Sequence, residues 1–325
     1  MNYRQFGNTE LNVSEIGFGS WAIGGNAMIG NTAIGWGKSD DEVSKKAIHA
    51  ALDAGINFFD TADIYGLGHS EELLGKTLPK NIIIASKSGN VNRNEQFTVD
   101  YSKQHIISAC EASLKRLKRQ VIDFHQLHTA RLQHLENGEC IEAMETLKKQ
   151  GKIRYWGISL NTFDPIPEAE YFFENKIGNG FQLVFNLINQ RALSLLQHAK
   201  EKGYGIIARM PLQFGLLTGK FDRQFHFDKD DHRSGRITEE IVKATNDTLK
   251  DVWQLCEKYE MTKTELALSY ILSYEAISTV ITGIRTPEHV ASNTTGFRIL
   301  EPADVEFISK VDGLNSLMEL IQKQG

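Results

Sequence analysis

Eight apolar segments of strand length recur along the 325-residue chain, and they constrain its fold more than any other feature. Helix-like stretches separate them, so the pattern is a strand followed by a helix, repeated. Most are continuous apolar runs, typical of parallel strands covered by helices on one face and by other strands on the opposite face. The sequence predicts a closed (β/α)8 TIM barrel. The predicted strands are 14–21, 56–62, 81–88, 121–128, 154–160, 181–188, 203–212 and 278–284.

The segment between the first two strands predicts a helix with both ends marked. Ser39 and Glu42 have the spacing of a capping box, and Gly55 can end the helix. Its apolar stripe consists of Val43, Ala47, Ile48, Ala51 and Leu52. Similar stripes predict helices at 106–117 and 141–147, with others over 191–202, 238–259, 263–273 and 302–320. We also expect a short N-terminal hairpin and, because no flexible linker interrupts the pattern, one domain over residues 1–325.

Charge and cysteine content disfavour several classes of partner. Lys and Arg total 36 against 41 Asp and Glu, without blocks of like charge, so we expect neither nucleic acid nor a membrane surface as partner. The three cysteines, Cys110, Cys140 and Cys256, form no C-x-x-C, which disfavours a disulfide framework and a metal site. No signal peptide or membrane-spanning segment is apparent. The expectation is a cytoplasmic protein, either a monomer or a weak homo-oligomer.

Three short motifs invite functional interpretations that their spacing does not support. In GFGSWAIGG the third glycine of a Rossmann fingerprint would fall at Ala22, and no helix pattern opens there. His125 and His128 lie three residues apart on a predicted strand, so they point to opposite faces and are poorly placed to share a metal ion. The charged cluster KDDHR, 229–233, is typical of a solvated loop, although a role in covering a ligand stays open.

Four polar residues follow neighbouring predicted strands, at the barrel end where catalytic groups lie. Asp60 and Tyr65 follow the second strand, Lys87 ends the third and His128 ends the fourth. Each alone has a structural explanation, such as a turn cap for Asp60 or a core histidine for His128. Together they are compatible with one pocket, in which a buried lysine would need a carboxylate partner and would lower the phenol pKa from about 10. The combination predicts acid–base chemistry.

These residues belong to a longer set of motifs through which the chain resembles the aldo-keto reductases, in particular a bacterial branch, over almost its whole length. The motifs are GFGSW, DDEVSKKAIHAALDAGINFFDTADIYGLGHSEELLGKTL, IIIASKSG, DFHQLH, GKIRYWGIS, FQLVFNLIN, PLQFGLLTGK and VITGIRTPEHVASNT. The resemblance implies a barrel that binds NADP(H) without a Rossmann fold and reduces carbonyls. It further implies that Tyr65 protonates the carbonyl oxygen, Lys87 lowers the Tyr65 pKa, Asp60 holds Lys87 and His128 orients the carbonyl. Asp63 has no implied role and reads as a loop residue.

The resemblance also implies a set of cofactor contacts. Ser159 and Gln182 look like the carboxamide-binding pair, while Leu160 stands where asparagine is usual, so whether Asn161 substitutes stays open. Arg209 occupies the position of a nicotinamide-stacking tyrosine. The loop expected to wrap the pyrophosphate supplies Pro211, Leu212, Gly215, Leu217, Gly219 and Lys220. The adenosine motif supplies Gly283, Arg285, Thr286, His289 and Asn293.

Arg285 is the one cation in that final motif, so NADP(H) is the expected cofactor and NAD(H) an alternative. Trp21, Trp36 and Ile64 are expected to line the pocket for a small-molecule carbonyl substrate. With all four catalytic positions filled, the first interpretation is an NADP-dependent aldo-keto reductase. The alternatives are a cofactor-binding regulatory subunit of the potassium-channel β type and a barrel isomerase or lyase, and a turnover assay with NADPH and an aldehyde separates them.

Overall fold

A computed structural model describes residues 1–30, 32–35, 37, 39–221, 225, 227, 231 and 233–324. Eight parallel strands close into a barrel in chain order, and the last pairs with the first. This confirms the predicted barrel and each of its eight strands, while the assignment of residues 1–325 to one domain remains a prediction. The strands are β1 (Ile16–Gly19), β2 (Phe58–Asp60), β3 (Ile83–Ser88), β4 (Ile122–His128), β5 (Ile153–Ser159), β6 (Gly180–Val184), β7 (Gly205–Arg209) and β8 (Thr279–Gly283).

Helices follow the strands and cover the outside of the barrel. The α-helices are Asp41–Asp53, His69–Thr77, Lys103–Arg116, Leu132–Asn137, Glu139–Lys149, Ile166–Asn175, Leu193–Glu201, Glu239–Thr248, Leu255–Tyr259, Lys263–Leu272, Pro287–Thr294, Pro302–Ser309 and Leu314–Gln324. The 3-10 helices are Trp21–Ile23, Tyr65–Gly68, Gln213–Thr218 and Val252–Gln254. Three antiparallel pairs lie outside the barrel: Tyr3–Gln5 with Asn12–Ser14, Met28–Ile29 with Thr32–Ala33, and Asn90–Arg93 with Gln96–Val99. The first pair confirms the expected N-terminal hairpin.

The ends of several helices differ from the prediction. The first helix is capped by Asp40 rather than Ser39, because the Asp40 carboxylate accepts the backbone N–H groups of residues 42 and 43. Val43, placed on the apolar stripe, is 37% exposed. The predicted helix at 238–259 is interrupted by the 3-10 turn Val252–Gln254. The one predicted at 302–320 breaks because Gly313 adopts a left-handed φ of 84°, which glycine tolerates without steric cost.

The N-terminal hairpin fills one end of the barrel. Phe6, Leu11 and Val13 pack against Phe58 and Phe124 of the strands, and the Phe6 and Phe124 rings meet edge to face at 4.8 Å between centroids. These strand residues precede the polar ends of β2 and β4. Because apolar side chains fill this end of the barrel, we expect a ligand cavity at the opposite end, where the strands terminate.

None of the helices formed by the described residues is both long and apolar enough to cross a membrane.

Candidate active site

A buried ion pair lies at the centre of the barrel's open end. The ammonium group of Lys87 donates to Asp60 Oδ1 at 2.5 Å and to the Thr61 carbonyl at 2.8 Å. The side chains of Lys87 and Asp60 are 0% and 1% exposed. β2 pairs with β3 so that Asp60 lies opposite Ala85, two residues before Lys87, which brings the two side chains together. The carboxylate compensates the charge that burial of a lysine would otherwise leave unpaired.

The second oxygen of Asp60 is held by two glutamine amides. Gln182 Nε2 donates to Asp60 Oδ2 at 2.7 Å, and Gln126 Nε2 donates to the same atom at 3.2 Å. Sequence reasoning missed Gln126, although its spacing of two residues from His128 on β4 places both side chains on one face of the strand. Gln182, expected to contact the carboxamide, therefore also fixes Asp60. The carboxylate is oriented from both sides.

Tyr65 stands beside this pair, at the start of the 3-10 helix Tyr65–Gly68. Its hydroxyl oxygen lies 3.4 Å from Lys87 Nζ. The Tyr65 ring stacks on Trp21 at 6.1 Å and meets the His128 ring edge to face at 6.0 Å, both measured between centroids. The structure thus brings together Asp60, Tyr65, Lys87 and His128, the four candidate catalytic residues.

Protonation of the central groups follows from their burial. Burial raises the pKa of Tyr65 above its usual 10, and although Lys87 and Arg209 oppose this shift, they do not reverse it. Lys87 thus acts on the Tyr65 pKa in the expected direction, but the net pKa lies above 10 rather than below it, because desolvation outweighs the neighbouring cations. Burial alone would lower the pKa of Lys87, but Asp60 and Tyr65 more than offset it, so the pKa is raised. A neutral phenol beside an ammonium group is a proton donor.

The two histidines of β4 have different surroundings. Burial, together with Lys87 and Arg209, holds the pKa of His128 well below its usual value, and its Nδ1 is buried without a partner among the described residues. His125 instead has Nε2 at 3.0 Å from the Ser88 hydroxyl, and burial lowers its pKa to about 3. Within the described chain no group of three or more His, Cys, Asp or Glu side chains could hold a metal ion. His128 is therefore a neutral imidazole available to a ligand.

A cavity of about 730 Å³ opens above these residues. Its walls include Trp21, Asp60, Ile64, Tyr65, His128, Ser159, Gln182, Arg209, Pro211, Leu212, Gly215, Lys220, Gly283, His289 and Asn293. Five other candidates, all within the described chain, lie outside its lining, and one of them is Lys87, which contacts the lining residues Asp60 and Tyr65. Leu217 is buried in the core, and Thr286 caps the helix Pro287–Thr294 by accepting the His289 N–H. Gly219 and Arg285 are the remaining two candidates outside the lining. Trp36 lies outside the described residues.

Arg209, at the end of β7, is oriented by the loop that follows β5. Its guanidinium donates to the Leu160 carbonyl at 3.2 Å and to the Thr162 hydroxyl at 3.0 Å, while Nε has no partner among the described residues. Burial lowers the Arg209 pKa, with Tyr65 and Asp60 opposing. The side-chain oxygen Oδ1 of Asn161 accepts the backbone N–H groups of residues 163 and 164 in its own turn, and Asn161 does not line the cavity. It is thus a turn residue.

Backbone strain is concentrated in the loop after β7. Met210, Gln213 and Phe214 adopt left-handed φ angles of 55°, 43° and 57°, a region that costs a non-glycine residue of order 1–3 kcal/mol. Phe214 reaches across the cavity to Trp21, with ring centroids 6.2 Å apart. Strain of this kind persists where surrounding contacts enforce it, and it is common at ligand sites.

Two cations on the cavity wall were not predicted as ligand contacts. Arg233 and Arg236 line it, and Arg233 forms an ion pair with Asp231 at 2.6 Å. Only Asp231 and Arg233 of the KDDHR cluster are described, so the prediction for the cluster as a whole lies outside the described residues. Arg236 was missed because it comes 16 residues after Lys220 and lies in no motif, whereas Arg233 belongs to the KDDHR cluster, for which the sequence left a role in covering a ligand open.

The residues present fit a nicotinamide dinucleotide. Lys220, His289 and the two arginines supply positive or polar groups for phosphates, and Gly215 and Gly283 leave the wall open to close approach. At the base, Ser159 and Gln182 are polar side chains suited to a carboxamide.

Comparisons with known proteins agree with the fold. The model of the Aldo/keto reductase family matches residues 15–316. The chain is 31% identical to aldo-keto reductase YhdN of Bacillus subtilis over 92% of this chain and 90% of that protein. It superimposes on glycerol dehydrogenase AKR11B4 from Gluconobacter oxydans with a TM-score of 0.78, at 29% identity over 95% and 94% of the two chains. The holo form of aldo-keto reductase AKR11C1 from Bacillus halodurans gives a TM-score of 0.75, at 27% identity over 95% and 96%. The chain belongs to the aldo/keto reductase family of oxidoreductases.

Asp63, which the sequence indicated to be a loop residue, is a buried acid beside the site. Burial is the main cause that raises its pKa to about 8, and the charge of the nearby Glu71 raises it further. Arg116 and Lys87 oppose this shift. Its Oδ1 has no partner among the described residues, while its N–H donates to the Lys87 carbonyl at 3.2 Å. Between pH 4 and 8 the folded state keeps a proton that the unfolded state releases, so this group lowers stability as pH rises.

We therefore compare the change that Asp63→Asn causes in the free energy of unfolding at pH 8 and at pH 4. We expect this change to be more stabilising at pH 8, by about 1 kcal/mol or more. Denaturant unfolding of wild type and variant at both pH values measures the difference. Asp312→Asn, at an exposed position, is the matched control and should show no such pH dependence. An equal effect of Asp63→Asn at the two pH values would contradict the buried neutral acid.

Proposed function

We propose that the protein catalyses the NAD(P)H-dependent reduction of an aldehyde or ketone to an alcohol. The observation that carries the proposal is the contact of one buried ammonium group, Lys87, with both the carboxylate of Asp60 and the hydroxyl of Tyr65. A structural ion pair needs only the first contact. The second contact places the Tyr65 hydroxyl, a proton donor, against the Lys87 ammonium group. Tyr65 lies in the wall of a cavity large enough for a cofactor and a small substrate.

Each residue has a role that follows from its surroundings. Tyr65 donates a proton to the carbonyl oxygen, and Lys87 stabilises the phenolate that the donation leaves. Asp60 holds Lys87, with Gln126 and Gln182 fixing the carboxylate. The neutral imidazole of His128 hydrogen-bonds the carbonyl oxygen and orients it toward Tyr65. Apolar walls, including Trp21 and Ile64, keep water from the reacting carbonyl.

The cofactor roles divide along the cavity. The nicotinamide, when bound, supplies the hydride for the carbonyl carbon. Ser159 and Gln182 would bind its carboxamide, Arg209 would contact the ring, and the loop over 211–220 would hold the pyrophosphate. Residues 283–293 would bind the adenosine part. This assignment follows from the cavity lining and the family pattern.

We further propose that Arg285 contacts the 2′-phosphate, so that NADPH binds more tightly than NADH. Arg285→Ala should weaken NADPH binding by about 1.5–3 kcal/mol, the scale of a charge-assisted hydrogen bond, and hardly alter NADH binding. Fluorescence titration of wild type and variant with each cofactor measures this. Arg298→Ala, at an exposed position after Pro287–Thr294, is the control and should leave both affinities unchanged. Equal weakening of both cofactors, or a wild-type preference for NADH, would refute the NADP assignment.

Steady-state assays with NADPH or NADH and propanal or benzaldehyde test the proposed reaction, with the alcohol product quantified. We expect many turnovers and one alcohol per oxidised cofactor. A regulatory subunit of the channel β type would bind NADPH without sustained turnover. The complete set of four candidate catalytic residues, assembled around one cavity, favours the enzyme. Tight NADPH binding with no reduction of any carbonyl would favour the subunit.

A further inference from the structure

A second, smaller chamber lies beside the catalytic cavity. Its volume is about 310 Å³, near the lower limit for a small-molecule pocket, so it suits part of a ligand rather than a whole one. Its apolar walls come from Phe163, Leu216, Ile237, Ile241 and Ile321. These residues belong to the loop after β5, the loop after β7, the helix Glu239–Thr248 and the last helix, Leu314–Gln324. We call this space the side chamber.

The side chamber adjoins the catalytic cavity. The two spaces share Trp21, Thr162, Arg209, Met210, Phe214 and Arg236 as lining residues. Trp21 lines both spaces and contacts residues of each. Its ring stacks on the Tyr65 ring at 6.1 Å and meets the Phe214 ring at 6.2 Å, both measured between centroids. The side chamber therefore lies within reach of a carbonyl compound placed at Tyr65, along the Trp21 ring.

The chemistry of the side chamber does not suit the cofactor. Of the candidate cofactor contacts, all of which are described, only Arg209 lines it. Phosphates and ribose need hydrogen-bonding partners, whereas these walls are dominated by isoleucine, leucine and phenylalanine side chains. Arg209 and Arg236, its two cations, lie at the junction with the catalytic cavity. Burial in the side chamber is therefore more favourable in free energy for an apolar group than for a polar one.

Resting on the proposed carbonyl reduction, we infer that the side chamber binds the apolar chain of the substrate, and that the preferred substrates are aldehydes with medium-length alkyl chains. Burial of each methylene is worth a factor of about three to four in binding. Octanal has five more methylenes than propanal, so kcat/KM should rise about 200- to 1,000-fold across the series. The rise should come mainly through KM, since the chain is bound equally in substrate and transition state.

The test uses the full-length protein with NADPH and the series propanal, butanal, hexanal and octanal. Ile321→Trp fills the side chamber from the last helix, which packs on Glu239–Thr248 at the surface of the barrel. In this variant kcat/KM for octanal should fall at least about 10-fold, while that for propanal stays within about twofold of wild type. Ile299→Trp, the same change at a residue 60% exposed, should leave the whole series unchanged.

Phe163→Ala provides a second variant, because it enlarges the side chamber instead of filling it. It should move the optimum to a longer chain, and circular dichroism with thermal melts verifies that each variant is folded. A chain-length rise that neither folded variant alters would overturn the inference, as would a flat series in wild type. If no aldehyde is reduced while NADPH binds, the proposed function fails instead, so the two failures are distinguishable.

Discussion

Tyr65→Phe is expected to lower kcat for aldehyde reduction by about two or more orders of magnitude while leaving NADPH affinity nearly unchanged. The hydroxyl lies 3.4 Å from Lys87 Nζ and is the phenol held beside that cation. Removal of one oxygen atom keeps the stacking of the ring on Trp21, so the cavity wall retains its shape. The loss is therefore a loss of the proton donor rather than of packing.

Steady-state kinetics and fluorescence titration with NADPH measure the two quantities separately. Tyr3→Phe is the matched control, because Tyr3 is an exposed residue of the N-terminal hairpin whose hydroxyl donates to the Gly55 carbonyl. The control should retain full kcat. Aldehyde reduction by Tyr65→Phe at a near-normal rate would refute the assignment of Tyr65.

Lys87→Met should abolish measurable turnover and also lower stability, yet the barrel should still form. Lys87 is fully buried and contacts Asp60, Tyr65 and the Thr61 carbonyl. The substitution therefore removes the cation beside the Tyr65 hydroxyl and leaves the charge of the Asp60 carboxylate uncompensated. Removal of one member of a buried pair costs about 3–5 kcal/mol. The two glutamine amides on Asp60 Oδ2 moderate this cost.

Thermal melts, circular dichroism and turnover assays check this expectation. The double variant Asp60→Asn/Lys87→Met removes the unpaired charge and should recover stability without recovering activity. Lys200→Met breaks an exposed pair with Glu275 and should change neither quantity by much. Substantial activity in folded Lys87→Met would contradict the proposed site.

The barrel and its central residues were predictable because they follow from local patterns. Continuous apolar strands alternate with amphipathic helices, and a barrel places the polar strand ends on one face. Asp60 and His128 end their strands and Lys87 is the last residue but one of its strand, so their convergence required only the strand order. The two interrupted helices were missed because hydrophobic periodicity continues through Val252–Gln254 and past Gly313, where backbone geometry changes without a change in composition.

The electrostatics of the site were less predictable, because they depend on three-dimensional burial. The Tyr65 pKa rises where a neighbouring lysine alone would lower it, since desolvation is the larger effect. Asp63 reads as a loop residue, and only the packing around it makes it a buried acid. Gln126 lies within DFHQLH and Arg236 outside any motif, and the contacts of both depend on elements distant in sequence.

Single-turnover reduction by the protein preloaded with NADPH tests the central claim most directly. After mixing with excess hexanal, we predict rapid loss of nicotinamide absorbance with formation of one hexanol per cofactor oxidised, and a rate at least about 100-fold lower in Tyr65→Phe. Folded wild-type protein that binds NADPH but forms no alcohol, or that forms it equally fast without the Tyr65 hydroxyl, would contradict the claim.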